Sequence, residues 1–162
     1  MKDYQIRRAE ERDLPAIAGV YAVAKAFMRA SGNPTQWSGG YPQEALLRED
    51  MKKGALYVVM QGDHIHGVFY FAVEADPTYQ VIEEGAWLCD EPYGVIHRIA
   101  ADGSGGIFPA ALRFASGRIS HLRIDTHHDN KPMQHVVEKH GFHRCGIIHI
   151  ADGSPRIAYE KV

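Results

Sequence analysis

Between residues 93 and 141 the chain alternates strand and helix signals: "YGVIHRIAA", "IFPAALRFASG", "HLRIDTH" and "NKPMQHVVEKHG" follow one another with short breaks. Two strands separated by one helix imply a right-handed crossover, and a crossover of that hand lays the strands parallel in the middle of a sheet. The remaining segments must extend that pair. Tyr4 and Ile6 alternate with polar neighbours and predict an opening strand. Asp13 offers an N-cap and Pro15 a first-turn residue to a helix whose apolar stripe is Leu14, Ile17, Val20, Tyr21, Ala24, Phe27 and Met28. Pro42 opens a second helix, "PQEALLREDMKK", which Gly54 ends. "ALYVVMQ" and "HIHGVFYFAVE" flank Gly62 and Asp63 as a hairpin, and in its second strand His66, Tyr70 and Glu74 share one face. A last hairpin, "FHRCGIIHI" and "PRIAYEKV", turns at Asp152 and Gly153. The expected architecture is α/β, one central mixed sheet with helices on both faces.

A chain of 162 residues, 45% of them hydrophobic and with no obvious linker, reads as one domain over 1–162. A formal net charge of -2 with 23% charged residues gives no electrostatic footprint for nucleic acid or for an anionic membrane. No apolar stretch approaches the roughly 20 residues of a membrane span, and "MKDYQIRRAEERD" lacks a signal-peptide core, so the expected location is cytoplasmic. Cys89 and Cys145 are then expected as free thiols.

The break between the first crossover strand and its helix is rich in glycine: Gly103, Gly105 and Gly106. Unpaired N–H groups and the positive end of a helix dipole converge at such a hinge, which suits an anion, and glycine lets the backbone approach it closely. Pro109 has no N–H, which leaves Gly105, Gly106, Ile107, Phe108 and Ala110 as donors.

In this order of parts "HRIAADGSGGIFPAAL" resembles the acetyl-CoA loop of the GNAT family of N-acetyltransferases, whose signature is Arg/Gln-x-x-Gly-x-Gly/Ala at a strand-to-helix junction. "IDTHHDNKPMQHVVEKHGFHRCGI" resembles the second half of that family: a strand, an Asn, a helix, and Gly-Phe opening the next strand. The resemblance covers the chain end to end, and it is with a bacterial subgroup whose loop is degenerate. It implies the acyl-CoA N-acyltransferase fold and acetyl-CoA as co-substrate. Ile99 and Ala101 would pair with the pantetheine arm, the hinge donors would cradle the pyrophosphate, and Asn130 would either reach the pantetheine or serve as a plain N-cap. Two departures stand out. Phe108 replaces the second glycine of the signature, and the usual Arg or Gln is missing. Val137 occupies the position at which many relatives carry a Tyr that protonates the leaving thiolate.

The reaction so implied is transfer of an acetyl group to a primary amine of a small-molecule or peptide acceptor, by direct attack in a ternary complex. The alternative is a non-catalytic domain of the same fold that binds or senses acyl-CoA. Direct attack needs a base for the ammonium proton. His97, in the strand before the hinge, is the first candidate, with Glu74 and Tyr70 next. The long connection "SGNPTQWSGGYP" supplies Gln36, Trp37 and Tyr41 to an acceptor wall, and Trp87 is a further candidate, with core packing as the other reading of both tryptophans. No metal is expected: neighbouring histidines in "THHDN" and "HIH" would point to opposite faces of a strand, and no Cys or carboxylate completes a regular set. Self-association into a homodimer is left open by the sequence.

Overall fold

The structure, a computed structural model, describes residues 3–37 and 39–162. Its elements follow the expected order. β1 (Gln5–Arg8) leads into α1 (Leu14–Ala30) and α2 (Glu44–Lys52). The hairpin β2 (Leu56–Gln61) and β3 (His64–Val73) precedes β4 (Gly94–Ala101), α3 (Ile107–Ser116), β5 (Leu122–Thr126) and α4 (Lys131–Lys139). β6 (His143–His149) and β7 (Pro155–Lys161) close the chain. The seven strands form one sheet in the order β1-β2-β3-β4-β5-β7-β6, in which β4 and β5 are the parallel pair and the other neighbours are antiparallel. One face buries Phe69, Phe71, Ile96 and Ile124 under α3 and α4; the other buries Leu56, Val58 and Val68 under α1 and α2.

Three local expectations are corrected. Asp13 precedes α1 but does not cap it: its carboxylate accepts the Glu10 N–H at 2.7 Å and the Arg7 guanidinium at 2.7 and 2.9 Å, closing the 3₁₀ turn Glu11–Asp13 instead. Pro42 lies outside α2, because Gln43 is still extended (φ -78°, ψ 154°) and the first helical residue is Glu44. Phe27 leaves the buried stripe of α1 and is 60% exposed, since the core packed against α1 reaches only to Ala24.

Two features shape the centre of the sheet. β4 and β5 run on to Ala101 and Thr126, yet their pairing stops at Val95 opposite Arg123. Along β3, Tyr70 faces His97 but Val68 faces Ala100, so β4 holds one extra residue there, and Arg98 takes φ +50°. That is a β-bulge, which bends its strand and breaks the ladder. The Tyr21 hydroxyl of α1 donates to the Arg98 carbonyl at 2.7 Å and pins the bulge. The result is a wedge-shaped gap between two parallel strands, open at their C-terminal ends.

Candidate active site in the gap between β4 and β5

A cavity of about 470 Å³ opens at that gap. Its floor is β4 and β5 from Ile96 to Ile99 and from Ile124 to Thr126; its walls are the α1–α2 connection, the β3–β4 connection and the β6–β7 turn. His97 sits at the floor. The β3–β4 connection positions its partner: Asp76 begins a 3₁₀ turn, Pro77–Tyr79, and one carboxylate oxygen accepts the Thr78 N–H at 2.9 Å and the Thr78 hydroxyl at 2.7 Å. The other oxygen lies 2.6 Å from His97 Nε2. Burial raises the Asp76 carboxyl, but the bonds from His97 and Thr78 outweigh it and hold it at about 2. An ionised carboxylate only accepts, so the network assigns the proton of a neutral imidazole to Nε2 and leaves a lone pair on Nδ1. Nδ1 is 3.9 Å from Asp125 Oδ2, an oxygen that accepts the Tyr79 hydroxyl at 2.7 Å. The cavity thus presents an oriented imidazole beside two carboxylates.

The glycine hinge lies at the end of β4. Gly106 is the N-cap of α3 at φ +85°, in the left-handed region. The first-turn N–H groups of Ile107 and Phe108 have no intrahelical acceptor, and Gly105 and Gly106 are exposed beside them. Ala110 does not fit the expected donor set, because its N–H closes the first turn on the Gly106 carbonyl at 3.1 Å. Three contacts that sequence reasoning missed brace the loop: Tyr4 donates to the Gly105 carbonyl at 2.6 Å, and Asp102 accepts the Ser104 N–H at 3.0 Å while lying 2.7 Å from His66 Nδ1. Gly67 of β3 lets Ile107 seat against the sheet, since a Cβ there would stand 2.6 Å from the Ile107 side chain.

Of the residues singled out from the sequence, His97, Ile99, Asn130, Gln36, Trp37 and Tyr41 line this cavity. Asn130 caps α4 by accepting the Met133 N–H at 3.2 Å and donates to Gln36 Oε1 at 3.0 Å. Trp37 packs edge-on to Tyr21 with ring centres 5.5 Å apart. Tyr70 and Glu74 are not brought to the cavity: the buried Tyr70 hydroxyl donates to Glu74 at 2.8 Å and accepts from Lys53 at 2.5 Å. Trp87 is also elsewhere, donating its indole N–H to the Tyr79 carbonyl at 2.7 Å with the Arg123 guanidinium 4.0 Å above its ring. Val137 is buried in the core with Phe108 and Phe142. Cys89 and Cys145 are free thiols, and burial, aided by Glu160, pushes the Cys145 thiol up to about 11.

The geometric argument made against metal ligation fails at two places. His127 and His128 follow β5 in a turn, where their rings stack at 4.3 Å, and with Asp129 they bring three ligand atoms together. Cys89, His121 and Glu160 form a second such group, beside which the Arg123 guanidinium already places a positive charge, 2.7 Å from Glu160.

The residues of the gap fit a pantetheine-like arm with a phosphate at one end. Backbone of β4 beyond Val95 is unpaired toward β5, the hinge offers free N–H donors, and the buried Thr126 hydroxyl at the gap has no partner among the described residues. Comparison with solved structures agrees. An acetyltransferase of the GNAT family from Streptococcus agalactiae is 30% identical, with 98% of this chain and 95% of that chain covered and a TM-score of 0.86. A chain assigned as an acetyltransferase from Staphylococcus aureus is 25% identical over 97% of each chain, with a TM-score of 0.69. A GNAT-family structure from Listeria monocytogenes, 18% identical with a TM-score of 0.70, shares the fold over 98% of this chain and 94% of its own. No protein-family model and no curated protein matches the sequence. These define an acetyltransferase fold. The chain belongs to the GNAT family of acetyltransferases. No helix among the described residues is long and apolar enough to cross a membrane.

Proposed function

We propose that residues 1–162 act as one N-acetyltransferase domain that moves an acetyl group from acetyl-CoA to a primary amine of a small-molecule or peptide acceptor, by direct attack in a ternary complex. The observation that carries this reading is His97 at the floor of the gap, its Nε2 held by an ionised Asp76 and its Nδ1 3.9 Å from Asp125, with no hydrogen-bond partner among the described residues. Acetyl-CoA supplies an acetyl group activated as a thioester. Ile99 and Ala101 offer main chain to the pantetheine, and the amides of Gly105, Gly106, Ile107 and Phe108 meet the pyrophosphate, with Asn130 at the start of α4. Asp76 and Asp125 attract the acceptor ammonium, and His97 Nδ1 removes its proton. The freed lone pair forms the N–C bond as the C–S bond breaks, the new amide nitrogen gives up its second proton, and with Val137 in place of a Tyr the thiolate takes up a proton from solvent or from that nitrogen. Trp37 and Tyr41 wall the acceptor side.

Thiol release from acetyl-CoA, followed across a panel of amino acids, polyamines, aminoglycosides and peptides, should depend on the added amine and yield acetylated product. The kcat/KM should rise with pH as base and amine deprotonate, with no falling limb below about pH 9. Tight binding of acetyl-CoA without amine-dependent thiol release would favour the acyl-CoA sensor.

The hinge is tested by Gly106→Val. The added Cβ meets little, its nearest neighbour being Tyr4 at 3.5 Å, so the effect comes from φ +85°, which costs a β-branched residue at least about 1–2 kcal/mol. Calorimetry should show CoA affinity falling about tenfold or more, whereas Gly106→Asn, which tolerates that region, should lose far less. Equal affinities in both folded variants would remove the hinge from phosphate binding.

A further inference from the structure

Arg156 stands second in β7 and is 5% exposed, yet its guanidinium has only main-chain partners: the Pro155 carbonyl at 2.9 Å and the Gln36 carbonyl at a long 3.4 Å. A guanidinium carries five N–H donors, so most are unclaimed. Among the described residues no carboxylate lies within 4.0 Å of it, whereas the other two buried or nearly buried arginines of the sheet are paired, Arg98 with Asp50 at 2.8 Å and Arg123 with Glu160 at 2.7 Å. A buried charge without a counter-ion is costly, and this one lines the same cavity as His97. Burial also holds the group below its ordinary pKa, a pull that Asp125 and Asp152 only partly offset. Both carboxylates have other partners, Asp125 the Tyr79 hydroxyl and Asp152 the Ser154 N–H.

The register supplies the geometry. Asp125 lies opposite Ala158, and Arg156, two residues earlier in β7, shares the Ala158 face. Asp125 and Arg156 are therefore diagonal neighbours, with Cα atoms about 7–8 Å apart. One end of that diagonal favours an ammonium and the other an anion. We propose that Arg156 binds a carboxylate of the acceptor, so that the substrate class is an amine that also carries a carboxylate, as free amino acids do. This rests on the acetyl-transfer reading above and narrows it.

The common L-amino acids and the same compounds as C-terminal amides, each supplied with saturating acetyl-CoA, test the assignment. Wild type should prefer the acids. Arg156→Gln should shrink the acid-to-amide ratio of kcat/KM roughly ten- to a hundredfold, mostly through KM of the acid, and Arg156→Lys, which keeps the charge but not the fork, should fall between. An amide preference in wild type, or an acid preference that survives Arg156→Gln, overturns the inference and leaves acetyl transfer standing. Should Arg156→Gln not fold, Arg156→Lys decides by the same ratio. If no amine in either set releases thiol, acetyl transfer itself fails, and titration of the CoA-loaded protein with the same acids and amides then decides for Arg156: acid-selective binding weakened by the substitutions supports it, and unselective or absent binding overturns it.

Discussion

His97→Gln should lower kcat by roughly 10²- to 10⁴-fold, the usual loss for a general base, with little change in the KM for acetyl-CoA. The imidazole reaches the cavity from β4, and nothing in the hinge leans on it, so cofactor affinity should not follow. Asp76→Asn is the companion variant. An Asn can present its amide N–H to Nε2, which moves the ring proton to Nδ1 and leaves the base facing the wrong way. It should lose about ten- to a hundredfold in kcat, the scale on which orienting partners act. Its Thr78 contacts also hold the Pro77–Tyr79 turn, so thermal unfolding must accompany the kinetics. A folded His97→Gln enzyme with near-wild-type kcat would take His97 out of the reaction. A Val137→Tyr enzyme that gains activity sharply would show that thiolate protonation, rather than removal of the ammonium proton, limits turnover.

The largest loss of stability is expected at Glu160. This carboxylate is fully buried, and one oxygen accepts from His121 Nε2 at 2.5 Å and Arg123 Nε at 2.7 Å while the other accepts the Leu88 N–H at 2.5 Å. Arg123 lies between the rings of Trp87 and Tyr93, 4.0 Å from each, and donates to the Cys89 carbonyl at 2.7 Å. Glu160→Ala strands that guanidinium among apolar rings, and breaking a buried pair from one side costs about 3–5 kcal/mol. For a chain of this size the fall in Tm is roughly 6–20 °C. The pH dependence has a definite sign. Burial raises the Glu160 carboxyl, but the bonds from His121 and Arg123 outweigh it and bring it below its ordinary value. A depressed carboxyl contributes stability above its unfolded pKa of about 4.3, and that stability is lost as pH falls through the lower folded value. Urea unfolding between pH 7 and 3 should show a steeper acid decline in wild type than in Glu160→Gln. A change in stability under about 1 kcal/mol for Glu160→Ala would mean that the cluster is no more than a surface ion pair in its effect.

Much of the architecture is legible in the sequence because it is written in local periods. The stripe from Leu14 to Tyr21, the alternation in "HIHGVFYFAV" and the strand-helix-strand order from Gly94 to Thr126 each need only near neighbours. The insertion of β7 between β5 and β6 does not follow from any local pattern, since a closing hairpin packs equally well on either side by periodicity alone. The bulge is hidden for a similar reason: a left-handed φ at an arginine is imposed by the surrounding sheet rather than favoured by the residue. At the site, His97 was visible as a histidine beside the hinge, but the groups that give it meaning come from distant segments. Asp76 carries a signal in "ADPTY", where an Asp-Pro with Thr two residues on favours a turn that fixes the carboxylate. Arg156 and Glu160 carry another, two charges on one face of the apolar strand "PRIAYEK". Thr126 carries none, because its hydroxyl stands out only once the gap around it exists.

The strand order also has a consequence for how the chain assembles during synthesis. β1 to β4 pair in sequence order, so the first half of the sheet needs no strand beyond β4, although only the β2–β3 hairpin within it is local. β5 cannot join it firmly, because β4 holds it through two residue pairs while β7 holds it through five, from Leu122 opposite Lys161 to Thr126 opposite Ile157. Until Lys161 has cleared the ribosome, a nascent chain therefore has the glycine hinge and α3 but no second wall to its gap, and its apolar strand β5 lacks a lasting partner. The groove is completed only once β7 has emerged, so between synthesis of β5 and of β7 the apolar edge of β5 is open to aggregation and to capture by chaperones.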